Sequence, residues 1–182
     1  MAVQEQSAVV AEDLVLRCTR LGLTVATAES LTAGLLAATV ASVPGASLVL
    51  RGGLIVYATD LKQSLAGVDP GLLAQRGPVD PDVAGQLAEG AATQCGADVG
   101  VGVTGVAGPD PQDGHPVGEV WIAVWSRVLD DGVPRVTALD GQWRKYAGRA
   151  SSRELRSAVR WYTVLRALEA LVQAVGDIDG RS

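Results

Sequence analysis

The chain has 182 residues, 48% of them hydrophobic, with a net charge of −5 and a mean hydropathy of +0.24. That length suits one domain with a substantial buried core, and no apolar run reaches the roughly 18–20 residues that span a bilayer. An acidic balance with no basic run before the C-terminal third argues against a nucleic-acid partner. Cys18, Cys95 and the single His115 stand in no metal-like spacing, so neither a metal nor a cofactor is expected.

The opening "MAVQEQSAVVAEDLVLR" has acidic residues and no basic n-region, so a signal peptide is not expected. With only two cysteines, far apart in sequence, a reducing compartment is the simplest reading, and the cytoplasm is the expected location. From about Gln6 to Leu21, apolar residues at Val10, Leu14, Cys18 and Leu21 trace a helical stripe that Gly22 ends. "TVATA" reads as a short strand. "TAGLLAATVASV" reads as an Ala-rich helix closed by Pro44 and Gly45. "LVLRGGLIVYA" predicts a strand with a bulge or bend at its Gly-Gly pair. Thr59 and Asp60 are candidate caps for a short helix in "TDLKQSLAG".

"DPGLLAQRGPVDPD" is rich in turn residues. Asp80-Pro81 then opens a helix through about Cys95, with Pro81 at the first helical position, where a missing N–H costs nothing. "ADVGVGVTG" is a buried type of strand. "GVAGPDPQDGHPVGE" is a long Gly/Pro loop. "EVWIAVWSR" and "PRVTALD" predict an antiparallel pair across "LDDGVP". A helix from about Ser151 to Val175 ends the fold. The expected architecture is α/β, a three-layer α/β/α sandwich with a mixed, mostly parallel sheet. One domain is expected over residues 1–176, with a frayed tail at 177–182. "WIAVW" and the Trp161/Tyr162 pair could serve core or interface, and a homo-oligomer is the expected assembly.

Three loops follow predicted strands: "ESLTAG" at 29–34, "YATDLK" at 57–62 and "TGVAGPD" at 104–110. If the strands are parallel neighbours, the loops meet at one crevice beyond their carboxyl ends. Ser30, at a strand-to-helix join, is a favoured helix cap. It could equally be a nucleophile whose oxyanion is met by helix-start N–H groups. A serine nucleophile needs a base. His115 lies in a loop with no evident orienting partner. Lys62 is the other candidate, as a Ser-Lys dyad. Of fifteen basic residues thirteen are Arg, and Lys62 is one of only two lysines. Arg cannot lose its proton, whereas a buried Lys can. Read separately, Lys62 also suits a helix surface, Tyr57 a core edge, and Thr104-Gly105 a turn. The basic stretch "WRKYAGRASSRELRSAVRWYTVLR" is either a solvated helix face or an anion site.

"TAESLTAGLLAATVASVPGAS", "RGGLIVYATDLKQSLAGV", "RGPVDPDVAGQLAEGA" and "VTGVAGPDPQDGHPVGEVWIAV", in this order, resemble the C-terminal domain of the CinA family. Its stand-alone members include nicotinamide mononucleotide deamidases. The match covers roughly residues 6–127. The resemblance implies an amidohydrolase that converts nicotinamide mononucleotide to nicotinate mononucleotide and ammonia. It implies Ser30 as nucleophile, Lys62 as base and Tyr57 as their companion. The resemblance implies that the Thr104–Pro109 loop, with Thr104, Gly105 and Gly108, lines the substrate pocket, and that a C-terminal arginine, here Arg156, contacts the ligand. Thr32, Ala33 and Gly34 at the helix start are expected to complete the site, with N–H groups near Thr32 and Ala33 facing the oxyanion. The ligand would be a pyridine mononucleotide, with no nucleic acid and no membrane involved. A non-catalytic CinA-like module that binds a nucleotide or a protein is the alternative.

Three features depart from the family pattern. Ala33 stands where Gly is frequent. "GPVD" replaces G-A-V-S, which puts a carboxylate at Asp80. The G-D-R-x-x-x-R entry to the last helix lacks Gly-Asp, with Arg156/Arg160 and Arg149/Arg153 both at its arginine spacing.

Overall fold

The computed structural model describes residues 2–147 and 151–180. In chain order its main elements are α1 (Val3–Leu21), β1 (Val25–Glu29), α2 (Leu35–Ala41), β2 (Leu50–Ile55), α3 (Thr59–Ala66), α4 (Pro70–Arg76), α5 (Pro81–Cys95), β3 (Val99–Gly105), β4 (Val120–Ser126), β5 (Arg135–Ala138) and α6 (Ser152–Asp179). The sheet order is β2-β1-β3-β4-β5. β1 pairs in parallel with both β2 and β3, while β4 is antiparallel to β3 and to β5. The sheet is therefore mixed, with four of five strands pointing the same way.

Strand alternation builds the layers, because successive side chains leave opposite faces. Val99, Val101 and Val103 of β3 join Ile122 and Val124 of β4 in one core with α1, α2 and α6. The intervening Gly100 and Gly102 face α5. A Cβ at Gly100 would lie 1.9 Å from the Ala88 carbonyl oxygen, and one at Gly102 would lie 2.4 Å from that of Ala84. "VGVGV" is thus a strand with one bulky face and one bare face, and the bare face lets the alanines of α5 sit against the backbone. α3 adds Ala66 to that second layer. Val120, Ile122, Val124, Trp125 and Tyr162 are all buried, so the apolar "WIAVW" run goes chiefly to the core.

Several predicted boundaries shift. "DPGLLAQRGPVDPD" contains a helix, α4, begun by Asp69 accepting from the Gly71 N–H and by Pro70 at its first position. α3 starts with Ala58 at its cap position, so Thr59 and Asp60 lie inside its first turn instead of capping it. In β2 the extra residue is Arg51, since Val25 pairs with Leu50 and Ala26 with Gly52. α6 runs four residues beyond its predicted end. Residues 177–179 are helical, and Asp177 and Asp179 pair with Arg135 and Arg20. Among the described residues, no helix is long and apolar enough to cross a membrane.

Candidate active site

The carboxyl ends of β1, β2 and β3 lie side by side, so the loops that follow them converge. A cavity of about 130 Å³ opens there. Ser30, Leu31, Tyr57, Thr59 and Lys62 line it from the β1 and β2 side, and Thr104 to Gly108 line it from the end of β3. Pro78 and Val79 close one wall, and Asp110, Gln112 and Arg156 complete it.

Ser30 continues β1 by one residue. Its N–H donates to the Val103 carbonyl (3.0 Å), and the Val56 N–H donates to the Glu29 carbonyl (2.9 Å). The serine is therefore gripped by the strands on both sides. Lys62 and Ala66, one turn apart, are the buried residues of α3. The Lys62 side chain is only 1% exposed. Its Nζ lies 3.2 Å from Ser30 Oγ and donates to the Val56 carbonyl at 2.8 Å. Burial pushes its pKa down to about 8, partly opposed by the nearby Asp60 carboxylate. The exposed-helix alternative for Lys62 is thereby set aside. A neutral amine has two N–H donors and one lone pair. With one N–H held by Val56, its lone pair can accept the Ser30 proton.

His115 is engaged elsewhere. Its Nδ1 lies 2.8 Å from Glu119 Oε1, and it does not line the cavity. A Ser-His pairing is not assembled.

The turn after Ser30 differs from its sequence-based reading. α2 does not begin at Ser30 but at Leu35, with Gly34 at the cap position. Ala33 (φ 51°) and Gly34 (φ 90°) are both left-handed, which breaks the helix before it can reach back to Ser30. Ala33 thus occupies a backbone conformation that glycine adopts more freely. Glu29, unassigned from sequence, takes the capping role. Its buried carboxylate accepts from the N–H groups of Gly34 (2.9 Å), Leu36 (3.0 Å) and Ala37 (2.8 Å), and from Thr27 Oγ1 (3.1 Å). The α2 N-terminus is consequently spent on Glu29. Thr32, Ala33 and Gly34 do not line the cavity, and the Ala33 N–H is taken by the Ser30 carbonyl (3.1 Å). The N–H groups of cavity-lining Leu31, Ala107 and Gly108 make no hydrogen bond to another described residue.

The mouth of the cavity is set by Arg156. It donates from Nη1 to the Gly108 carbonyl (2.7 Å) and from Nη2 to Tyr57 Oη (2.6 Å). The Tyr57 hydroxyl is thus engaged by Arg156 and makes no hydrogen bond to Ser30 or Lys62. Thr104 Oγ1 donates to the Pro78 carbonyl (2.5 Å), stitching the "GPVD" stretch to the end of β3. Gly108 is left-handed (φ 83°), and a Cβ there would lie 2.7 Å from Val117 and 2.8 Å from Leu155.

Asp80 does not line the cavity. It caps α5 by accepting from the N–H groups of Asp82 (2.7 Å) and Val83 (3.3 Å). Asp80→Ala is expected to cost about 1 kcal/mol of stability, as loss of a helix cap does. The urea midpoint should fall while catalytic turnover, where assayed, changes little. Of the other arginine candidates, Arg160 reaches the carbonyls of Leu31 and Thr32 (both 2.9 Å), and Arg149 lies outside the described residues.

Residues 7–175 match the family model of the CinA C-terminal domain. A CinA-like protein of Frankia casuarinae is 42% identical over 146 residues, which is 80% of this chain and 30% of that protein. A putative competence-damage inducible protein of Geobacillus kaustophilus is 44% identical over 115 residues, 63% of this chain and 28% of that one. The chain thus spans less than a third of the length of these relatives. Among solved structures, the competence/damage inducible protein CihA from Agrobacterium tumefaciens matches with a TM-score of 0.80 and 32% identity, covering 94% of this chain and 96% of that one. The competence damage-inducible protein A (ComA) from Klebsiella pneumoniae matches with a TM-score of 0.76 and 27% identity, covering 95% and 96%. By the family model, matched over most of its length, this chain belongs to the CinA C-terminal domain family.

Proposed function

We propose that the protein is a serine amidohydrolase that removes the carboxamide nitrogen of a pyridine mononucleotide, nicotinamide mononucleotide first among them. The observation that carries this reading is the Ser30–Lys62 pair: 3.2 Å apart on the cavity lining, with the lysine buried and its pKa lowered toward neutrality. A binding site has no need of a buried amine aimed at a serine hydroxyl. An acyl-transfer enzyme needs both.

In the forward step the Lys62 amine takes the Ser30 proton as Oγ bonds to the carboxamide carbon. The negative charge that develops on the carbonyl oxygen is met by backbone N–H groups. Leu31, Ala107 and Gly108 supply the candidates, in place of the helix-start groups that Glu29 occupies. When the C–N bond breaks, the lysine ammonium returns its proton to the departing nitrogen and ammonia leaves. Water, deprotonated by the same amine, releases the carboxylate product and restores Ser30. Arg156 at the mouth supplies the cation for the nucleotide phosphate, and Tyr57, held by Arg156, flanks it. This is electrostatic and hydrogen-bond recognition of the kind arginine suits.

The test is ammonia release from nicotinamide mononucleotide by the purified protein, with Ser30→Ala alongside. Release by the parent and none by the variant is the expected result. Binding of the nucleotide with no release, detected calorimetrically, would overturn the amidase in favour of a binding module.

A further inference from the structure

Arg156 and Arg160 stand one turn apart on α6, yet their tasks differ. Arg156 reaches the cavity, whereas Arg160 does not line it. Arg160 donates from Nε to the Leu31 carbonyl and from Nη2 to the Thr32 carbonyl, both at 2.9 Å. These carbonyls belong to the second and third peptides after Ser30. The planar guanidinium fork meets two consecutive acceptors at once, which a lysine ammonium cannot reproduce.

The consequence follows from peptide geometry. A trans peptide is planar, and its N–H points opposite to its C=O. Fixing the Leu31 carbonyl fixes the direction of the Thr32 N–H. Fixing the Thr32 carbonyl fixes the Ala33 N–H, which closes the turn on the Ser30 carbonyl. Within the turn the Ala33 N–H donates to the Ser30 carbonyl and the Leu35 N–H to the Thr32 carbonyl (both 3.1 Å), but Ala33 and Gly34 are left-handed and Thr32 Oγ1 is buried with no hydrogen-bond partner among the described residues. It is also held from outside: Glu29 accepts the Gly34 N–H from the sheet side, and Arg160 donates to the Leu31 and Thr32 carbonyls from α6.

We propose that Arg160 is a positioning residue for the nucleophile: it clamps the turn after Ser30 so that Oγ stays within hydrogen-bond reach of Lys62. The proposal rests on the Ser-Lys reading given above. A displacement of about 1 Å at a reacting group can lower a rate by roughly 100-fold. Arg160→Gln is therefore expected to lower kcat by about 30- to 100-fold with KM changed less than about 3-fold. Arg156→Gln is expected to act mainly on KM.

A second readout does not depend on the nucleotide. A small fluorophosphonate phosphonylates an activated serine: the Oγ–P bond forms, the P–F bond breaks, fluoride leaves and Lys62 takes the Oγ proton. Its second-order rate with Ser30 should fall in Arg160→Gln by the same factor as kcat. Added guanidinium at tens of millimolar should restore part of the rate in Arg160→Ala, and ammonium should not. Arg160→Lys, which keeps the charge and the stem, guards against a variant that fails to fold and should lose about 10-fold. If the parent protein neither labels at Ser30 nor releases ammonia, the Ser-Lys reading itself fails. If the parent labels and every folded Arg160 variant labels equally fast, the clamp alone is overturned. A loss in KM with kcat intact would likewise overturn it.

Discussion

Ammonia release is expected to rise with pH through about 8 and level off above it, and Lys62→Met should abolish it, with a loss of at least roughly 1,000-fold. The acid limb reports the proton that Lys62 must shed before it can accept one from Ser30. Burial sets that value, displacing the amine from an ordinary lysine pKa of 10.5 to about 8. The same displacement has a sign for stability. Below about 8 the lysine is charged in both folded and unfolded chains, and the native state carries the whole cost of a buried ammonium. A shift of this size corresponds to about 3 kcal/mol. Between about 8 and 10.5 the unfolded chain keeps a proton that the native chain has released, so native stability rises with pH across that window. Lys62→Met removes the ammonium and also the hydrogen bond to Val56, itself worth about 1 kcal/mol. The variant should therefore be inactive yet more stable than the parent by about 1–2 kcal/mol at pH 7. The gap should close and reverse as the pH approaches 10. Denaturant unfolding at the two pH values measures it. A variant destabilised at pH 7 would mean that Lys62 holds the fold together and is not strained for chemistry.

Lys62 was legible because a sequence that uses Arg almost throughout keeps a lysine five residues after the tyrosine that follows a strand. Local signals served equally well where the physics is local. Asp80-Pro81 marks the start of α5, and Gly22, left-handed in the structure, marks the end of α1. The identical Asp69-Pro70 signal went unread because α4 buries no residue, leaving no apolar period to accompany it. Ser30 looked like a helix cap because nothing in "ESLTAG" shows that residues 33 and 34 are both left-handed. Glu29 could have been noticed: a carboxylate at the end of a buried apolar strand demands donors, and the nearest unsatisfied ones are those of the next helix. Arg160 could not. Its partners lie 128 and 129 residues away, a relation that α6 packing creates and spacing alone does not encode. The end of α6 is a similar case, since Asp177 and Asp179 find Arg135 and Arg20 only once the chain is folded.

Glu29→Ala is expected to be the most damaging single change outside the dyad, lowering stability by about 3–5 kcal/mol and ammonia release with it. The carboxylate is 1% exposed and receives three backbone N–H groups, two of them on residues of α2. Removing it leaves those donors buried without a partner, each at about 1–3 kcal/mol before relaxation. It also deprives the helix N-terminus of the negative charge that its dipole favours. Glu29→Gln separates the two consequences. The amide has the same shape and one accepting oxygen, but its NH2 would face an N–H donor. The fold should survive with a loss of about 2 kcal/mol. Because Glu29 immediately precedes Ser30, the residual misfit falls on the nucleophile turn. The folded glutamine variant should show a kcat about 10- to 100-fold below the parent, with KM nearly unchanged. Thermal melting paired with initial-rate kinetics checks both parts. A glutamine variant with parental kcat and a lowered melting temperature would limit Glu29 to holding α2, and the position of Ser30 would then depend on the flanking strands and Arg160.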